Sequence, residues 1–85
     1  MGLDLVETVM RIEEEFEIII PDHDAMLLTT TREVVDYLMR HPEVAEKWSR
    51  DYVADSVWQI LEDECEIRRE DFNEDSHFIK DMGID

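Results

Sequence analysis

The chain has 85 residues, of which 44% are apolar, enough for one domain around a small core. Asp and Glu number 24 against 8 Lys and Arg, a formal net charge of −16. That balance argues against nucleic acid and anionic membranes as partners and favours basic protein surfaces.

Only one cysteine, Cys65, is present, so no internal disulfide can form. No apolar run reaches membrane-spanning length, and Asp4 and Glu7 stand where a secretory leader carries Lys or Arg. A cytoplasmic protein is the expectation, with no membrane partner.

Helix signals dominate the chain. In "LDLVETVMRIEEEF", Leu5, Val6, Val9, Ile12 and Phe16 recur at three- and four-residue spacing, which predicts an amphipathic helix. Asp4 and Glu7 are expected in its first turn, where acids favour the helix dipole. The run "EIII" before Pro21 predicts an end near Phe16 or Glu17 and an extended stretch over residues 18–21. Ile18 and Ile19 are either inward-packed or a self-association patch. The segment "DHDAMLL" has room for one helical turn.

Thr30 and Glu33 have capping-box spacing ahead of Val34, Val35, Leu38 and Met39, so a second long helix follows. Pro42 ends it or opens the next segment. Residues 42–50 read as a connector carrying Val44, Ala45 and Trp48. The stretch "RDYVADSVWQILEDECEI" places Val53, Val57, Ile60, Leu61 and Cys65 on one face of a third long helix. After Ile67 comes a polar loop pinned by Phe72 and Phe78. The end, "FIKDMGID", predicts a turn with Phe78, Met82 and Ile84 inward. The expected fold is all-α: a four-helix bundle of three main helices and a minor one, in a single domain over 1–85. The expected core is Val6, Val9, Ile12, Phe16, Ile20, Leu28, Val35, Leu38, Ile60, Leu61 and Phe78.

The stretch "LDLVETVMRIEEEFEIIIPDHDAMLLTTTREVVDYL" resembles the second half of an acyl carrier protein, from helix II through the last helix. The stretch "VWQILEDECEIRREDFNEDSHFIKDMGID" resembles the first half: helix I, the long loop and the "F-x-x-D-L-G-x-D" segment before the modified serine. Phe78, Asp81, Met82, Gly83 and Asp85 stand at the positions of that segment. The halves are in reversed order: 1–41 matches helix II onward, 42–50 is the connector, and 51–85 matches helix I and the loop. The resemblance implies a circularly permuted acyl carrier fold.

In that family a serine carries 4'-phosphopantetheine, whose thiol holds an acyl group as a thioester. Here Gly2 stands at the serine position, flanked by Asp85 and Leu3, so no cofactor is expected on the chain as it stands. The resemblance implies a non-enzymatic binding module of fatty-acid or polyketide-type acyl metabolism. Its partners would be basic surfaces of acyl-transfer or synthase enzymes. Asp4, Glu7, Met10, Glu13 and Glu14 would form the docking face, and the core set would line an acyl pocket. Arg11 replaces a small residue of the family pattern and would retune that docking. The alternatives are a functional carrier whose serine a longer chain supplies, a swapped dimer in place of a monomer, and an acidic adaptor of a basic enzyme.

Other features point to nothing sharper. Ser56, in "VADSVWQ", imitates the family's "ADSL", but its register puts it on a helix surface. Asp71, Asn73 and Asp75 follow calcium-loop spacing, yet Ser76 replaces the Gly and Met82 the Glu such a loop needs. His23, His41 and His77 have no zinc spacing. Cys65 sits mid-stripe and reads as core.

Overall fold

The computed structural model describes residues 2–84, so Asp85, one flank of the family's serine position, lies outside the described residues. Five helices follow in order: α1 (Leu3–Phe16), α2 (Asp22–Ala25), α3 (Thr31–Met39), α4 (Pro42–Ala45) and α5 (Arg50–Cys65). A 3-10 turn covers Arg69–Asp71. The fold is all-α, and the sole β feature among the described residues is an isolated bridge between Thr30 and His77.

Helix α5 packs against both α1 and α3. It runs antiparallel to α1, because Tyr52 meets Glu15 at one end and Cys65 meets Thr8 at the other. The core is buried Leu5, Ile12 and Phe16 from α1; Val34, Val35 and Leu38 from α3; and Val53, Val57, Trp58, Ile60 and Leu61 from α5.

The inward stripe of α1 is Leu5, Thr8, Ile12 and Phe16, and it leaves out Val6. Val6, expected in the core, is 39% exposed, and Val9 is half-buried. Successive helical residues point about 100° apart, and with the inward stripe centred on Leu5, Thr8, Ile12 and Phe16, Val6 falls on its outer edge. Thr8 can take the inner position because its hydroxyl donates to the Asp4 carbonyl (2.8 Å), which satisfies the buried oxygen. Leu28, also expected in the core, is half-buried. Glu7 lies beyond the first turn, where Asp4 is the one acid.

The long helices α1 and α5 both end on a glutamate in the left-handed region, Glu17 (φ 55°) and Glu66 (φ 56°). For α5 this stops the helix at Cys65, two residues short of the sequence expectation. It also puts Cys65 at a half-buried end and not deep in the stripe. Helix α3 begins with the expected capping box: Thr30 accepts the Glu33 N–H, and Glu33 reaches back to the Thr30 N–H. The connector folds as α4 with Pro42 at its first position and Val44 fully buried. Trp48 then packs edge-on against Phe16, 5.2 Å between centroids, and closes that end of the bundle.

The C-terminal segment is stitched to the start of α3. The Phe78 N–H donates to the Thr29 carbonyl (2.8 Å), and the Arg32 N–H donates to the Glu74 carbonyl (2.9 Å). Phe78, Met82 and Ile84 are buried, as their spacing predicts.

Candidate functional site

Gly2 is the N-cap of α1, in extended conformation (φ −75°, ψ 168°), and its carbonyl accepts the Val6 N–H at 3.1 Å. Among the described residues no side chain caps this helix start. Glycine has no hydroxyl to esterify, so this position does not fit a phosphopantetheine arm. Leu3 beside it is largely exposed. One turn further, Leu5 faces the C-terminal segment: Leu5 and Phe78 line a slot of about 140 Å³, with Thr29 and His77 at its edge.

The other side of α1 carries the expected docking residues, and they divide. Glu7 and Glu14 are exposed, and Met10 between them is 53% exposed. Asp4 is half-buried. Glu13 is half-buried as well, and its Oε2 accepts the Ile20 N–H at 2.8 Å. Glu13 therefore holds the chain as it leaves α1, in addition to adding negative charge to this face.

Arg11 turns away from these acids. Its guanidinium donates to Glu64 (3.0 Å) and Asp63 (3.3 Å) on α5, and the Glu64 carboxylate raises its pKa above the ordinary value. Its charge thus serves the α1–α5 contact and leaves the acidic face undiluted.

Between α1 and the segment after it lies a groove of about 620 Å³. Val6, Val9 and Met10 form one wall, and Ile19, Ala25 and Met26 the other. Glu13 and Asp22 are its charged lining residues, and none of its lining residues is Lys or Arg. Ile19 is 81% exposed and Met26 68%, whereas Ile20 is buried and Ile18 packs on the core. The far wall is held by Tyr37, whose hydroxyl donates to Asp24 Oδ2 at 2.8 Å. Burial and this carboxylate push the Tyr37 phenol up to about 12, and the same bond holds the Asp24 carboxyl below its usual range.

The void inside the bundle, among Leu5, Ile12, Val34, Leu61 and Phe78, is only about 30 Å³. In this conformation the open volume therefore lies in the outer groove.

No protein-family model matches the chain. No solved structure matches it at a significant level.

The remaining candidates are tied up elsewhere. Ser56 is half-buried on α5, less exposed than its register predicts. Asp75 is paired to Arg32 of α3 at 2.7 Å, and Asn73 Oδ1 accepts the Asp75 N–H at 2.9 Å, so one calcium-loop group ties the loop to α3 and another braces the loop itself. Among the described residues no group of three or more His, Cys, Asp or Glu is arranged to hold a metal ion. Burial pushes the Cys65 thiol up and away from the reactive thiolate form. His23 is exposed, His41 lies against the Tyr37 ring and His77 caps a turn. No helix of the described residues is long and apolar enough to cross a membrane.

Sequence reasoning named the acids and Met10 of α1, but of the opposite wall it singled out only Ile19, with Ile18, as inward-packed or an exposed patch. The signal was "EIII": three β-branched residues before a proline cannot all turn inward from an extended stretch, because alternate residues point to opposite sides. Ile19 is the one turned out.

Proposed function

We propose that this chain is an acyl-carrier-type binding module in circularly permuted order, which docks on basic surfaces of acyl-transfer or synthase enzymes and takes no phosphopantetheine arm itself. The observation that carries this reading is the shared slot between Leu5 in the first turn of α1 and Phe78 in the C-terminal turn. A permuted carrier needs these two segments side by side, since the segment that resembles the approach to the serine must lead into helix II.

The acidic face of α1 supports the docking part. Glu7 and Glu14 are exposed, and Arg11 does not neutralise them. Each exposed ion pair contributes about 0–1 kcal/mol, so docking of this kind is transient and salt-sensitive.

The test is incubation with coenzyme A and a phosphopantetheinyl transferase, read by intact mass. The native chain should gain nothing. Gly2→Ser, which restores a hydroxyl at the N-cap of α1, should gain the mass of one arm. Failure of Gly2→Ser to take the arm, while circular dichroism shows it folded, overturns the carrier reading. Uptake by the native chain, at Ser56 for instance, overturns the assignment of Gly2 as the lost attachment point.

A further inference from the structure

We infer that the groove between α1 and α2 binds a short, cationic, amphipathic helix of a partner protein, with large apolar side chains inserted between Met10 and Met26 and Lys or Arg resting on the carboxylates around them. This deepens the docking reading above, from a basic surface to a particular kind of segment.

The walls decide the apolar part. Leu3, Val6 and Met10 follow one another at three- and four-residue spacing along the outside of α1, and all are exposed. Ile19 and Met26 line the same groove opposite Val6 and Met10, and are more exposed still. Large aliphatic side chains held in water on two opposed walls are what an apolar anchor can cover. Two methionines among them suit a surface that adapts to its guest.

The charges decide the rest. Glu13 and Asp22 line the groove, and Glu7 and Glu14 flank Met10 one turn away on either side. A second copy of the chain would bring a net charge of −16 against another −16, which disfavours self-association through this face. An occupant rich in Lys and Arg is drawn to it instead.

The backbone argues for a helix. The described residues contain no sheet edge to which an extended peptide could add, and the Ile20 N–H in the groove is already taken by Glu13. A guest entering an apolar groove must satisfy its own N–H and C=O groups, and a helix does so internally.

The test uses the native chain and three synthetic peptides of roughly 15 residues, titrated by calorimetry. The first carries Leu at i, i+3, i+4 and i+7 among Lys residues. The second has the same composition in scrambled order. The third keeps the Leu pattern and replaces Lys by Glu. The first should bind, and the other two should bind at least about tenfold more weakly. Met10→Ser and Met26→Ser, both at exposed positions, should each cost the first peptide about tenfold while circular dichroism stays native. Equal binding of the scrambled peptide, or unchanged affinity of both Met variants, overturns the proposal. Doubling of the native chain's mass in light scattering, lost in Met10→Ser, also overturns it. Binding of the first peptide together with failed arm uptake by Gly2→Ser sinks the carrier reading alone. Arm uptake without peptide binding sinks this inference alone.

Discussion

The side chains of His77 and Asp81 cap the same turn. The His77 Nδ1 accepts the N–H groups of Ile79 and Lys80, both at 3.1 Å, and the Asp81 carboxylate accepts the His77 N–H at 2.7 Å. The imidazole does here what a serine or aspartate does at a helix start. This pair fixes the turn that carries Phe78, Met82 and Ile84 into the core.

His77→Ala removes an acceptor from two N–H groups and should cost about 1 kcal/mol, as loss of a helix cap does. In a domain of this size that lowers the melting temperature by about 4–8 °C. His77→Asn should restore most of the loss, because its side-chain oxygen reaches the same donors. An alanine variant with unchanged urea midpoint would show that the cap contributes nothing.

Glu33 makes stability depend on acid. Its Oε1 accepts from the Thr29 hydroxyl (2.7 Å), the Thr29 N–H (2.9 Å) and the Thr30 N–H (3.1 Å). The Thr29 hydroxyl first, then the Thr29 N–H, hold the carboxyl below its ordinary 4.5. A folded value below the unfolded one means stability that is fully present above pH 4.5 and lost as pH falls through the folded value. Glu33 is exposed, so screening keeps its share under about 1 kcal/mol. Glu33→Gln should therefore lose less between neutral and acid pH than the native chain, measured as the shift in urea midpoint. An identical shift in both proteins would remove Glu33 from the account.

Glu66 holds the left-handed conformation at φ 56° to end α5, and its N–H donates to the Glu62 carbonyl. A side chain there costs about 1 kcal/mol that glycine does not pay. Glu66→Gly should raise stability by about 0.5–1 kcal/mol even after glycine's greater unfolded-state entropy. It is a cleaner test than Glu17→Gly, since Glu17 also lies 3.6 Å from Lys47. A drop in melting temperature for Glu66→Gly would contradict the strain argument.

The end of α1 was legible, because "EIII" before Pro21 places it at Phe16 or Glu17, whereas the end of α5 was not. Glutamate is not a residue that announces a left-handed stop, so nothing in "DECEIRR" places the break after Cys65. The start of α3 was legible, because Thr30 and Glu33 carry their own hydrogen bonds in a fixed spacing. On the inward face of α1, Leu5, Ile12 and Phe16 were legible; hydrophobicity added Val6 and Val9, whereas a local hydroxyl bond lets Thr8 take the inner position. Val44 was visible as apolar, but its complete burial depends on how the connector crosses the bundle. In the candidate site the near wall was legible as a helix face. The far wall depended on the path of the chain after Glu17, which Glu13 and Tyr37 set through contacts across seven and more residues.

Thr31 gives the sharpest test of the core. It is fully buried at the first position of α3, and among the described residues its Oγ1 has no hydrogen-bond partner. A buried hydroxyl without a partner costs about 1–3 kcal/mol in lost hydration. Valine keeps the branched shape and replaces the hydroxyl by a methyl group, so Thr31→Val should be more stable than the native chain by about 1 kcal/mol. Thr31→Ala removes the same oxygen but leaves a gap, so it should gain less or lose stability. Chemical denaturation of the two variants separates desolvation from packing. If valine is less stable than threonine at this position, Oγ1 is bonded in solution, and the accounting of the α3 start must change.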